Sequence, residues 1–155
     1  MSSTENTILL TRTFNAPREL VWKAWTTPEL LARWWGPHGW SLSTNNMDFR
    51  PGGAWEYCMS GPNGEPSCGK AVYQEIVVPE RIVYRDYFSD ADGNPIEGMP
   101  ETEVTLEFVE ANGQTKLVST TLCATPEDRD KLLSFGLEEG IMETWSRLDD
   151  LLPTL

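Results

Sequence analysis

A chain of 155 residues suggests one domain with room for a real core, and its 39% hydrophobic, 10% aromatic and 23% charged residues describe an ordinary globular protein. Twelve basic residues against 24 acidic ones give a net charge of −12, and the basic ones are scattered, which argues against nucleic acid and against anionic membrane surfaces as partners. Apolar runs are only a few residues long, so no membrane span is predicted. The opening Met1–Thr7 has neither a basic region nor an apolar signal core, so a cytoplasmic location is expected, with residues 1–6 flexible. The acid excess supports solubility; it would also attract a basic partner or a cationic ligand.

Residues 7–14 are rich in β-formers and read as a strand. Pro17 suits the first turn of a helix, and Leu20, Val21, Ala24 and Trp25 follow at helical spacing. Thr27-Pro28-Glu29 reads as a second helix start; Leu31, Trp34 and Trp35 share one face, and Gly36-Pro37 stops it. Two short, bent helices are therefore predicted over 17–35. From 40 to 123 the chain reads as an antiparallel meander. Trp55, Tyr57 and Met59 alternate with Glu56, Cys58 and Ser60, and Gly61-Pro62-Asn63-Gly64 supplies a turn. Further β-rich segments cover 69–78 and 81–88, then a longer loop runs from Asp90 to Pro100. Val104, Leu106 and Phe108 alternate on the next strand, and 115–123 closes the meander after a turn at 111–114.

Thr125-Pro126-Glu127-Asp128 is a helix start with an N-cap, proline behind it and acids in the first turn. Leu133, Leu137, Ile141, Trp145, Leu148 and Leu152 then form an apolar stripe, with Glu138, Glu143, Arg147 and Asp150 on the opposite surface. A single helix over 127–152 would be ~39 Å long. Gly136 and Gly140 interrupt it at a cost of ~1 kcal/mol each, which fits close packing on the sheet or room for a ligand beneath the helix. An α+β arrangement follows, in which a single curved sheet has its concave face covered by the C-terminal helix.

Four of the seven tryptophans lie in two short runs, Arg33–Trp40 and Asp48–Trp55, beside glycine or proline. Such rings either fill a core or line a cavity. Trp55, Tyr57 and Met59 are the sheet-side cavity candidates, joined by Trp35 and Tyr73. Leu137, Ile141 and Trp145 are the helix-side ones, and Trp40 is placed at the mouth. Arg50 either pairs with Asp48 to anchor the Pro51-Gly52-Gly53 bend or meets a carboxylate ligand in the cavity. Glu56, Glu75 and Asp86 are strand-borne acids whose facing the pattern leaves open. His38, the only histidine, reads as a surface loop residue rather than a general base. Cysteines at 58, 68 and 123 fit no zinc spacing. Cys58 and Cys68 could approach across a hairpin, but free thiols are expected in a reducing cytoplasm. No nucleophile elbow, phosphate loop or dinucleotide fingerprint is present.

Ala16-Pro17, Val21-Trp22, Trp25-Thr26, Trp34-Trp35-Gly36-Pro37, Asp48-Phe49-Arg50-Pro51-Gly52-Gly53, Gly69, Pro79-Glu80-Arg81, Gly140 and Trp145 carry a resemblance over about residues 8–152. The chain resembles the activator of heat-shock protein 90 ATPase homologue-like family of the START-like (SRPBCC) superfamily. The resemblance implies a helix-grip fold with a deep cavity between the sheet and the C-terminal helix, used in the superfamily for lipids, sterols, polyketides and plant hormones. A minority of members are enzymes. The eukaryotic namesake instead stimulates the chaperone ATPase through protein contacts, and carries an additional N-terminal domain. The expectation is thus one START-like domain that binds a small hydrophobic or amphipathic molecule without catalysis, cofactor or metal. A protein-interaction module and a cavity enzyme using acid–base chemistry are the alternatives. A second copy of the chain, paired through a sheet edge or the 89–100 loop, is a further candidate partner.

Overall fold

The structure, a computed structural model, describes residues 4–155. Of the N-terminal residues expected to be flexible, 1–3 lie outside the described residues. Thr4–Asn6 form a 3-10 turn, whose Asn6 amide donates to the Cys123 carbonyl at 2.8 Å. The strands are β1 (Thr7–Phe14), β2 (Ser41–Met47), β3 (Ala54–Ser60), β4 (Pro66–Val77), β5 (Arg81–Ser89), β6 (Thr102–Ala111) and β7 (Gln114–Cys123). They form one antiparallel sheet in the order β1-β7-β6-β5-β4-β3-β2. A meander therefore runs from β2 to β7, and β1 closes the far edge. The helices are α1 (Arg18–Thr26), α2 (Pro28–Trp34), α3 (Pro126–Ser134) and α4 (Leu137–Leu151). Among the described residues no helix is long and apolar enough to cross a membrane.

Alternation decides which face of the sheet is inside. Trp55 and Tyr57 on β3, Ala71 and Tyr73 on β4, Val104, Leu106 and Phe108 on β6, and Leu117 on β7 are buried. Along β7 the same face also carries Thr115, Ser119 and Thr121, buried hydroxyls among apolar neighbours. The curved sheet grips α4, with Trp145, Leu148, Leu151 and Leu152 buried between them. An Arg12–Asp149 ion pair fastens α4 to β1.

The helix expected over 127–152 is broken. Thr125 caps α3 by accepting from the Asp128 N–H at 3.1 Å, as its sequence predicts. The chain then turns at Gly136, whose φ of 82° lies in the left-handed region, where a side chain costs about 1–2 kcal/mol. Its N–H donates to the Leu133 carbonyl at 3.1 Å, ending α3 in the manner of a glycine C-cap. At Gly136 the interior-glycine penalty is thus avoided by stopping the helix, whereas Gly140 stays inside α4. What remains is a C-terminal helix of 15 residues, ~22 Å long.

The expectation of free thiols at 58 and 68 is corrected. The β3–β4 register puts Cys58 directly opposite Cys68, with Cα atoms 4.0 Å apart, and a disulfide joins them. Narrowly spaced antiparallel partners bring side chains together; the expectation let compartment outweigh the approach across the hairpin. Cys123 is free and buried.

Candidate functional site

Between the concave face and α4 lies a cavity of about 250 Å³. Its aromatic side is built first by the helical hairpin. Trp34 is fully buried, and its indole N–H donates to the Ala24 carbonyl at 3.1 Å, locking α2 against α1. That fixes Trp35, whose ring makes edge contacts with Trp25 at 5.4 Å, Trp55 at 5.0 Å and Tyr57 at 6.0 Å between centroids. Such pairs contribute ~0.5–1.5 kcal/mol each beyond burial. Trp25, Trp35 and Tyr57 border the cavity.

The floor follows from the register. Tyr57 stands opposite Gly69, and a Cβ at position 69 would come within 2.5 Å of the Tyr57 hydroxyl. Only glycine lets that phenol lie across β4. It reaches Asp86 on β5, donating to Oδ1 at 3.5 Å, a long hydrogen bond. Ala71, opposite Asp86 on one side, is small, and Thr102 flanks it on the other. Ser119, Thr121 and Thr102 bring further hydroxyls to the lining.

The roof is the first half of α4. Leu137, Gly140, Ile141, Thr144 and Trp145 border the space, and nothing lies within 4 Å of where a Gly140 Cβ would be. The Thr144 hydroxyl is engaged, donating to the Gly140 carbonyl at 2.8 Å.

Electrostatically the site is one-sided. Asp86 is the only acid among the lining residues, and Lys, Arg and His are missing from them. Burial pushes the Asp86 carboxyl up to about 7, against smaller opposing effects of the Tyr57 hydroxyl and the Tyr87 backbone N–H. Burial also raises the phenols of Tyr57 and Tyr84 well above their ordinary range, with the nearby Asp86 charge adding to it. The Trp25 indole N–H has no partner and is enclosed by protein.

Six sequence-predicted residues thus come together at the cavity: Trp35, Tyr57, Met59, Leu137, Ile141 and Trp145. The other four do not. Trp55 and Tyr73 are core residues that border a separate void of about 10 Å³. Trp40 is half-buried outside the lining, its carbonyl held by Arg147 at 3.3 Å. Arg50 is on the surface, its side chain 72% exposed. It pairs with Asp48 at 2.8 Å, beside the 51–53 bend, the first of its two expected roles, which corrects the alternative placement in the cavity.

Asp86 is the residue sequence reasoning left unresolved. A signal was there: it lies two residues from Tyr84 and two from Phe88, and all three line the space. Glu56 instead alternates with Trp55 and Tyr57 onto the other face, and Glu75 pairs with Arg81 at 2.8 Å. Arg147, expected on the outer surface, turns in. Its Nη1 lies 2.9–3.3 Å from the carbonyls of Trp35, Gly36, Pro37 and Trp40. His38 is outside the lining and exposed; its backbone N–H and ring Nδ1 meet Glu143 of α4 at 2.6 and 3.1 Å.

A seven-stranded antiparallel sheet gripping a C-terminal helix is the helix-grip architecture of START-like proteins. The chain belongs to the family described as activator of Hsp90 ATPase homolog 1-like protein, whose model matches residues 15–153. It is similar to protein Ms6760 from Mycobacterium smegmatis, with 29% identity, a TM-score of 0.90, and 97% of this chain and 93% of that one covered. A protein from Arthrobacter aurescens shares 26% identity at a TM-score of 0.92, over 100% of this chain and 90% of the other. One from Staphylococcus epidermidis shares 31% identity at 0.86, over 99% and 93%. No curated protein matches the sequence.

Proposed function

We propose that the protein binds a small amphipathic molecule in the cavity between sheet and α4, without transforming it. The observation that carries this reading is a cavity of about 250 Å³ bordered by both Gly140 and the carboxyl of Asp86, in a lining otherwise rich in aromatic and aliphatic side chains. Around this space of about 250 Å³ the apolar lining lacks packing partners, and a ligand would supply them. At ~30 Å³ per water-sized group, the space suits a molecule of about eight non-hydrogen atoms, and the clustered polar groups suit one with a single polar end.

The test is Gly140→Phe, which should fill the roof. Titration with neutral 2-phenylethanol, followed by NMR shifts of Ile141 and Trp145, should show saturable binding to the native chain and none to the variant. Equal binding by both, or by neither, overturns the reading.

A second reading keeps the same residues and adds acid–base chemistry, because Asp86 and two phenols converge with shifted ionisation. Only Asp86 would exchange a proton near neutral pH. Catalysed α-proton exchange of phenylacetone in D2O, lost in Asp86→Asn, selects this reading; exchange at the buffer rate rejects it for ketones.

A further inference from the structure

We infer that the ligand's polar end is a cation, an alkyl- or arylalkyl-ammonium group seated against Asp86 with its apolar remainder under α4. This rests on the binding proposal above and narrows it to one ligand class.

Three features of the lining point the same way. The first is charge: one carboxyl and no Lys, Arg or His border the cavity. A fatty-acid-like ligand would bring a second carboxylate beside Asp86 with no basic group to receive it, and burying an unpaired charge is expensive. An ammonium supplies what the carboxylate lacks. The second is aromatic content. Trp25, Trp35, Tyr57 and Tyr84 border the same space as Asp86, and ring faces attract cations by ~0.5–2 kcal/mol each. The third is how little the protein satisfies this carboxyl itself. Its partners are the Tyr57 hydroxyl at 3.5 Å and the Tyr87 backbone N–H, neither of them charged, whereas Asp48, Asp149 and Glu75 at the surface each pair with an arginine. The small Ala71 opposite it leaves that side uncrowded. The enclosed Trp25 N–H does not compete, since it is sealed from the open space. A net charge of −12 adds a long-range attraction for cations.

The experiment compares three probes of matched size by calorimetry at pH 8: phenethylamine, 2-phenylethanol and phenylacetate. The native chain should bind the amine at least tenfold more tightly than the alcohol, and phenylacetate more weakly than either. In Asp86→Asn, an isosteric change checked for retained fold by NMR, the amine-to-alcohol ratio should collapse toward one. Alcohol binding with no amine preference, an amine preference that survives in Asp86→Asn, or a preference for phenylacetate each overturns the cation inference alone and leaves the cavity reading standing. Binding of none of the three overturns both.

Discussion

Asp86→Asn should stabilise the protein, and should do so only above acidic pH. In the native state the Asp86 carboxyl holds its proton to about 7, against 3.8 for the ordinary group. Between those values the folded protein binds the extra proton, so stability falls as pH rises, by about 1.4 kcal/mol per unit. The penalty is absent below the lower value and complete above the upper one. Over the whole window it reaches roughly 4 kcal/mol. Asp86 is only half-buried and borders open space, where water solvates part of the charge, so about 2 kcal/mol is expected. The groups facing it from the packed elements are Tyr57 on β3 and Tyr84 on β5, with uncharged Leu137, Ile141, Thr144 and Trp145 from α4. None changes charge below pH 9. Urea unfolding of both proteins from pH 4.5 to 8 isolates the effect, because the other carboxylates cancel in the difference. The variant should gain about 1 kcal/mol on the native chain between pH 5 and 8, the rest of the window lying below pH 5. A difference constant to within about 0.5 kcal/mol, beyond the extrapolation error, would refute the burial argument.

Three further outcomes follow from the same geometry. Phenethylamine remains an ammonium across the range, so its affinity should drop at least tenfold from pH 8 to 5.5 as Asp86 takes up its proton, read by calorimetry; a flat profile counts against the ion pair. Gly69→Ala should cost ~1–3 kcal/mol because a Cβ would meet the Tyr57 hydroxyl at 2.5 Å. Since that hydroxyl holds the Asp86 carboxyl down, its displacement should move the carbon-13 titration midpoint of Asp86 upward, and an unchanged midpoint would show that Tyr57 does not influence it. Arg147→Met should cost about 2 kcal/mol in urea unfolding, through the carbonyls of residues 33–40 it leaves unpaired; a loss under ~0.5 kcal/mol would mean water replaces the guanidinium freely.

What was legible in the sequence was what local periodicity encodes. Trp55, Tyr57 and Met59 alternate because a half-buried strand must, and Thr125 caps α3 because its hydroxyl is placed for the Asp128 N–H. Four features needed more than local periodicity. Gly136 could sit inside a helix or end one, and the choice is made by α3 packing Leu132 with Ile8 and Cys123, away from the α4 axis. Arg147 lies on the polar side of the helical wheel, yet the carbonyls it satisfies belong to residues more than a hundred positions earlier. Cys58 and Cys68 needed the strand register. Arg50 and Asp48 could as well have faced inward as outward, since the bend that follows them fixes which.

The cavity keeps its shape because its walls are stiffer than its roof. Trp25, Trp34, Trp35, Trp55 and Tyr57 form a continuous network of ring contacts, and Trp34 and Trp55 each donate their indole N–H, to Ala24 and Thr44. A wall so cross-braced cannot relax inward to fill a neighbouring gap without breaking several contacts at once, as close-packed interiors resist small collapses. The roof lacks such bracing at Gly140, where the wheel offers no side chain at all. An apolar residue there would shrink the void and raise stability. That the sequence instead places glycine over the gap and a carboxylate in the floor, each at a cost in stability, is the pattern expected where a site is kept open for a ligand.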